Sequence, residues 1–575
     1  MSSHLRTDVT LWRRWSQHAS DTPDRDAIIH WVADEEPFRW TFSSLVNEAE
    51  QLAAMLVDRG IRKGDVCAII LRHNRHLYPL YLACVGVAAI PAILAYPNPR
   101  LHPDKFREGL AGMSRRSGLD WILTERDLEA VIRPLVEAPG STIRGVQFPF
   151  EWPADSNRDD TFDLNEIGAG AKPTDPLLLQ HSSGTTGLQK PVLLSHRAVL
   201  DHVANYGGTL GLSEDDKIAS WLPLYHDMGL IAALHLPLAF GIPTVQIDPF
   251  EWVVVPSLLL DVISRERATI SWLPNFAFSM MADKIREDDL EGITLDSWRL
   301  VINCSEPVRE EDLQKFLGRF APYGLRADAL AASYAMAETT FAVTQTTLGS
   351  RPPVINVDKV ALSKGDVVEV DQAAPARTCV SSGPAIPGCD VRIVDDDSVD
   401  VAQGRVGEIV VRSVSMFDGY RNYPEKTAAV LRDGWYYSGD YGFVKDGEYY
   451  VIGRKKDIVI IAGNNVYPED VEAAVGSVEG VIPGRVIAFG EEDETFGSER
   501  LSVMAETPVT NEQGLQALRK AVIAAGMSID VSIVNVYLVP PRFLIKSSAG
   551  KPSRHANKAR LALVKSSAAV ASSGS

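Results

Sequence analysis

Residues 181 to 196 read HSSGTTGLQKPVLLSH, a run whose residue types suit phosphate oxygens. Ser182, Ser183, Thr185 and Thr186 offer hydroxyls, Gly184 and Gly187 let backbone N–H groups approach an anion closely, and Lys190 adds positive charge. The run does not fit the GxxxxGK(S/T) nucleotide loop, because its lysine stands three residues after the second glycine and is followed by Pro191. Proline fixes φ and removes a backbone donor there. Taken alone, the run reads either as a polyphosphate cradle or as a plain surface turn.

Seven further stretches bear on that choice: WLPLYHDMGL (221 to 230), WLPNFAF (272 to 278), NCSEPV (303 to 308), SYAMAETT (333 to 340), YYSGDYG (436 to 442), GRKKDIVIIAGNNVYPEDVE (453 to 472) and KSSAGKPSR (546 to 554). In this order and spacing the eight motifs resemble the adenylate-forming superfamily of acyl-CoA synthetases, nonribosomal peptide adenylation domains and luciferases. The resemblance covers nearly the whole chain. HDMGL, PNFAF and NNVYPEDVE look most like the fatty acyl-AMP ligase branch. So does the connection from Glu338 to Gly383, whose 44 intervening residues are roughly twenty more than ordinary acyl-CoA synthetases carry there, and long loops tend to be functional. In acyl-AMP ligases such an insertion hinders the rotation needed for CoA chemistry.

The resemblance implies a two-step reaction. A carboxylate attacks the α-phosphate of Mg-ATP in line, giving an acyl-adenylate and pyrophosphate, so charge growing on phosphate oxygens must be neutralised. It assigns that task to Lys551, bridging carboxylate and α-phosphate, and assigns Mg²⁺ to Glu338, a hard oxygen ligand. Asp440 would accept both ribose hydroxyls, with Arg454 contacting ribose or phosphate. The loop from Ser182 to Gly187 with Lys190 would hold the phosphates, and Ser305, Glu306, Pro307, Ser333, Tyr334, Ala335, Met336 and Ala337 would line the nucleotide. A thiol then attacks the acyl carbonyl after the C-terminal part swings about a hinge at Lys456, with Gly463 lining the thiol tunnel. His226 stands at the gate between acyl and thiol sites, where a structural histidine is the equal alternative. Trp221, Phe276, Phe278 and Met336 are candidate walls of an apolar acyl pocket and are equally explicable as core.

Three segments depart from the family. Pro191 replaces the glycine that usually follows the loop lysine. Asn303, Cys304, Ser305, Glu306 and Pro307 stand where acyl-AMP ligases read N-G-A-E-P, and Tyr334-Ala335 replaces Tyr-Gly. The expectation is that ATP-dependent adenylation is weakened while handling of a formed acyl-adenylate remains. That favours an acyl-CoA ligase acting on a hydrophobic acid or its adenylate. The alternatives are a fatty acyl-AMP ligase loading an acyl carrier protein and, in another class, a non-catalytic acyl-adenylate-binding protein.

The elements that must position these residues follow from patterning. DVCAIIL and DPLLLQ read as strands, an amphipathic stretch runs from about Leu77 to Val87, and SHRAVLDHVANYG is a helix with Ser195 as N-cap. This is α/β order. After about Asp390 short strands dominate, with Asp446-Gly447 as a hairpin turn. Beyond Lys456, VYPEDVEAAVGS starts a helix and VSIVNVYLV reads as a strand. The expected fold is α/β: a large N-terminal domain (1–455) of two α/β sheets plus a β-rich subdomain (about 385–455), a small mobile α+β domain (456–565), and a disordered tail (566–575). With 575 residues, 45% apolar and 23% charged, the chain is an ordinary globular one, cytoplasmic by default and without integral membrane association. Its net charge of −18 argues against nucleic-acid binding. Cys67, Cys84, Cys304, Cys379 and Cys389 lack CxxC spacing, so neither zinc nor a disulfide framework is expected. Oligomeric state stays open, a homodimer among the options.

Overall fold

The computed structural model describes residues 5–97, 103–152, 164, 170–182, 190–371, 376–461, 464–493, 498–546 and 552–562. Ser183, Gly184, Thr185, Thr186, Gly187, Gly463, Lys551 and the tail 566–575 lie outside the described residues.

A mixed α/β architecture is built on an eight-stranded sheet. Its strands run in the order Ala342–Gln345, Leu330–Ala335, Leu300–Asn303, Ile270–Leu273, Ile218–Ser220, Thr244–Ile247, Asp26–Trp31 and Phe38–Thr41. The six inner strands are parallel and the two outer ones antiparallel. A second sheet, all parallel, orders Ile90–Ile93, Val66–Ile70, Trp121–Thr124 and Gly145–Gln147. Strand Val66–Ile70 is buried at every residue, as expected when helices cover both faces of a parallel sheet.

Helix Leu77–Gly86 is buried all round. The amphipathic reading of that stretch is therefore corrected: all ten residues are buried and eight of them join the main core, so it has no solvent face to be polar on. Helix His196–Thr209 starts as expected, the Ser195 side chain accepting from the Ala198 N–H at 3.2 Å.

The β-rich part sets Cys389–Val394, Gly407–Ser413, Trp435–Lys445 and Glu448–Arg454 into one antiparallel sheet. Asp446 (φ 51°) and Gly447 (φ 81°) join its last hairpin, the pair of positive φ values that matches the twist of a two-residue turn. The long connection after Glu338 forms the antiparallel pair Val354–Asp358 and Ala376–Val380, with helix Lys359–Ser363 between them. Val357, Leu362 and Cys379 pack there with Phe443, Tyr450, Ile452 and Tyr467.

Beyond Lys456, helices Pro468–Gly476 and Glu512–Met527 pack on strands Val486–Asp493, Ser498–Glu506 and Asn535–Val539 around a core of their own, from Val459 to Ile533. None of the five cysteines forms a disulfide. No described helix is long and apolar enough to cross a membrane.

Candidate active site

Four motifs follow the C-terminal ends of adjacent parallel strands. Trp221 to Leu230 follows Ile218–Ser220, Pro274 to Phe278 follows Ile270–Leu273, Cys304 to Pro307 follows Leu300–Asn303, and Met336 to Glu338 follows Leu330–Ala335. Ligands of open α/β sheets sit at this edge. The sheet thus gathers segments more than a hundred residues apart.

Glu338 is 6% exposed and lies in a tight turn, Ala337–Thr339. The Tyr420 hydroxyl donates to its Oε1 at 2.6 Å, and Lys190 Nζ donates to the same hydroxyl at 3.2 Å, itself 4.0 Å from Glu338 Oε1. Tyr436 adds a second hydroxyl, 3.5 Å from that of Tyr420. Burial and the Glu338 charge push the Tyr420 phenol well up, so it stays a donor. Sequence reasoning missed Tyr420: FDGYRNYPE offers two tyrosines and nothing in their spacing says which one turns inward.

Asp440 and Arg454 are register partners on neighbouring strands. Tyr334 donates to Asp440 Oδ2 at 2.6 Å, and Arg454 Nε lies 3.4 Å from Oδ1. Burial raises the Asp440 carboxyl, opposed by Arg454. The backbone N–H of Asp440 donates to Ser438 Oγ at 3.0 Å within strand Trp435–Lys445. Burial first, then Arg454, lowers the Lys456 ammonium; Lys190 and Asp440 also act on it. The predicted hinge lysine therefore sits within reach of Arg454, Lys190 and Asp440.

The three departures are accommodated differently. Strand Lys190–Ser195 pairs with Pro176–Ser182, Pro191 opposite His181. The Pro191 carbonyl accepts from Arg421 N–H at 2.9 Å. A residue's N–H and C=O point to the same side of a strand, so the donor missing at Pro191 faces Arg421 and the ladder to the other strand loses no bond. The loop on which Pro191 is expected to act, 183–189, lies outside the described residues. Cys304 is fully buried, while Ser305 is exposed with φ 69°, in the left-handed region. Ala335 is half-buried beside a register shift between Tyr334 and Ala335.

Some expected nucleotide contacts have structural duties. Ser333 Oγ donates to the Thr344 carbonyl at 2.8 Å, Ala337 is buried, and Glu306 Oε2 accepts from Phe276 N–H at 2.9 Å at the start of helix Asn275–Lys284. Ser305 and Pro307 are exposed, and Met336 is half-buried between two apolar clusters. On the acyl side, Trp221 stacks on Trp252 at 3.6 Å between centroids, and Phe276, 42% exposed, meets both rings edge-on. Phe278 is corrected from pocket wall to core: its ring is fully buried 4.9 Å from that of Phe316. Positions 276 and 278 lie on opposite faces of one helix, so only one could face a ligand. His226 is half-buried, its ring 4.8 Å from that of Tyr225, whose carbonyl accepts from Gln180 Nε2 at 2.7 Å.

Residues 15–421 match the family model described as AMP-binding enzyme. The chain belongs to that family. A putative acyl-CoA synthetase of Caulobacter vibrioides is 30% identical to this AMP-binding enzyme over 527 residues, covering 89% of this chain and 88% of its own. A medium-chain-fatty-acid–[acyl-carrier-protein] ligase of Moorena producens is 34% identical over 399 residues, 66% of each chain. A solved structure from work on fatty acyl-adenylate ligases of E. coli and L. pneumophila superposes with a TM-score of 0.88 at 25% identity, covering 97% of this chain and 98% of that one. This AMP-binding enzyme is thus an adenylate-forming ligase of the acid–thiol class, in the acyl-CoA synthetase and fatty acyl-AMP ligase branch.

Its described residues fit the ligands that branch requires. Glu338 presents a buried carboxylate suited to Mg²⁺, and Asp440 presents oxygens already oriented by Tyr334 and Arg454 for a diol.

Proposed function

We propose that this chain activates a hydrophobic carboxylic acid with ATP and passes the acyl group to the thiol of an acyl carrier protein. The observation that carries this reading is a clamp between the insertion and the C-terminal part. Arg377 on strand Ala376–Val380 is 3.2 Å from Asp470 Oδ1, stacks over the Tyr467 ring at 4.7 Å, and donates to the Ile452 carbonyl at 2.9 Å. Tyr467 in turn donates to the Leu362 carbonyl at 3.5 Å. Rotation about Lys456 must break the contacts to Asp470 and Tyr467, whereas a carrier's tethered thiol arrives with its own protein surface and can contribute binding energy against that cost.

The same arrangement favours adenylation. Lys546 and Pro552, which flank the Lys551 segment, form a β-bridge, and Lys546 lies within electrostatic reach of Glu306. Arg309 Nη2 donates to the Glu469 carbonyl at 3.3 Å. Residues 456–565 would act as the mobile domain. In the first step Lys551 neutralises charge on the α-phosphate as the carboxylate attacks, Lys190 holds the phosphates, and Asp440 fixes the ribose. Mg²⁺, held by Glu338, would supply Lewis-acid neutralisation of the phosphates. A cavity of about 360 Å³ beside Lys190 and Tyr436 gives pyrophosphate polar space to leave. In the second step the thiol displaces AMP, with Trp221 and Phe276 against the acyl chain.

A second reading, CoA thioester formation with a weakened ATP step, is favoured by the left-handed Ser305 in the adenine segment. Offering the chain ATP, a series of fatty and aromatic acids, and both CoA and a holo-carrier protein decides between them by product mass. The carrier thioester is expected. Slow pyrophosphate exchange, together with rapid CoA thioester formation from synthetic acyl-adenylate, would establish the second reading instead.

A further inference from the structure

Glu408 is a buried acid on strand Gly407–Ser413, and the neighbouring strand Trp435–Lys445 does not pair with it evenly. Glu408 stands opposite Tyr441 and Val410 opposite Tyr437, so Ser438, Gly439 and Asp440 together face Ile409 alone. This is a β-bulge, which interrupts the ladder and re-aims a side chain. The side chain it carries is that of Asp440.

Two side chains take up the backbone donors of the bulge. Glu408 Oε1 accepts from Gly439 N–H at 3.1 Å, and Ser438 Oγ accepts from Asp440 N–H at 3.0 Å while donating to the Ile409 carbonyl at 2.6 Å. Gly439 has φ 73°, in the left-handed region that suits glycine. The second oxygen of Glu408, Oε2, accepts from Lys455 Nζ at 3.1 Å, and the Lys455 backbone N–H donates to the Gly439 carbonyl at 2.9 Å. Glu408, Gly439 and Lys455 thus close a ring of hydrogen bonds directly before Asp440. Lys455 supplies the counter-charge that a buried carboxylate needs, and the carboxylate in turn bonds a backbone N–H more strongly than a neutral acceptor does.

We propose that Glu408 is a positioning residue for the ribose contact: by bonding Gly439 it holds the bulge that presents Asp440. This rests on the reading of Asp440 as the ribose ligand. A residue that only held the β-rich part together would change stability without changing how the chain tells a ribose from a deoxyribose.

The test uses the full chain with Glu408→Ala, Glu408→Gln, Asp440→Ala and the double variant Glu408→Ala/Asp440→Ala. Calorimetry measures binding of dodecanoyl-sulfamoyladenosine, a non-hydrolysable acyl-adenylate analogue, and of its 2′-deoxy counterpart, and thermal unfolding is followed alongside. The unmodified chain is expected to bind the ribose form at least about tenfold tighter, the scale of a hydrogen bond to a charged group. No binding of either form would sink the acyl-adenylate reading, equal binding would sink the ribose role of Asp440, and the proposal falls with either. Glu408→Ala is expected to cut the preference to about twofold, and to have no further effect on it in the Asp440→Ala background. Glu408→Gln keeps an oxygen for Gly439 N–H but loses the charge that pairs with Lys455. It should lose thermal stability as Glu408→Ala does, yet keep the preference within about threefold of the unmodified chain. A preference that survives in Glu408→Ala, one that falls in step with stability in Glu408→Gln, or equal losses from Glu408→Ala with and without Asp440 would overturn the proposal. Should Glu408→Ala not fold, Glu408→Met, which fills the same space without an acceptor for Gly439, replaces it in the same cycle with the same expected outcomes.

Discussion

At the scale of single residues, the hydroxyl of Tyr420 decides how Glu338 is presented. It donates to one carboxylate oxygen and accepts from Lys190, so it fixes the carboxylate and links it to a lysine that lies 4.0 Å from the same oxygen. Residues that orient a metal ligand typically matter about ten- to a hundredfold in metal affinity. Tyr420→Phe should therefore raise the Mg²⁺ concentration for half-maximal pyrophosphate exchange by about tenfold; an unchanged Mg²⁺ titration would remove Tyr420 from the site. Ser305 poses the opposite question, since its side chain sits on a left-handed backbone that costs a non-glycine residue roughly 1 kcal/mol. Ser305→Gly relieves that strain and removes the side chain from the adenine segment, at an entropic cost of similar size. Thermal stability should hold within about 1 kcal/mol while the KM for ATP falls, and a rise in KM would show that the serine aids nucleotide binding. Glu338, Asp440 and Arg454 could be picked out as candidates because their motifs name them. Tyr420 could not, because its role comes from an isolated bridge between Val192 and Tyr420 that pairs segments more than two hundred residues apart.

At the scale of elements, strands proved easier to read than the faces of helices. The runs DVCAIIL and DPLLLQ fall on strands Val66–Ile70 and Pro176–Ser182, because apolar runs bounded by turn signals leave few alternatives. Helix Leu77–Gly86 and Phe278 were misread for one reason: periodicity shows which residues share a face, and tertiary contacts alone show whether that face meets core, ligand or solvent. The insertion was legible as extra length but its attachment was not, since an arginine in ARTCV carries no mark of stacking on Tyr467. Arg377→Ala removes that stack and the contact with Asp470. Thermal stability should fall by about 1 kcal/mol, the scale for a partly exposed ion pair and a ring stack, and the ratio of CoA thioester to carrier thioester should rise several-fold. An unchanged ratio would mean that the clamp does not govern acceptor choice.

At the scale of the whole molecule, the distribution of buried histidines sets how the chain answers acid. His30, His181, His196, His202 and His235 are all at most 6% exposed, and burial lowers their imidazoles to about 3 or about 4. They are neutral in the folded chain and titrate near 6.5 once unfolded, so the unfolded state binds more protons between those limits. Stability from this source is complete above pH 6.5 and is lost as pH falls toward 4. Each group contributes about 1.4 kcal/mol per pH unit, so the five together approach the entire stability of a domain within about one and a half units. Asp248, Asp440 and Asp470, raised by burial, act in the opposite direction but only from the ordinary carboxylate range upward. These histidines all precede Lys456, as do all 11 tryptophans, the last being Trp435; beyond Lys456 the one histidine is the exposed His555. Acid should thus open the large sheet-bearing body first and leave the core from Val459 to Ile533 folded. Tryptophan fluorescence is expected to shift to the unfolded value near about pH 5, while part of the far-ultraviolet circular dichroism persists to lower pH. A single transition seen by both probes would mean that the two cores unfold as one unit, and native fluorescence at pH 4 would mean that the histidines find protonated states within the fold.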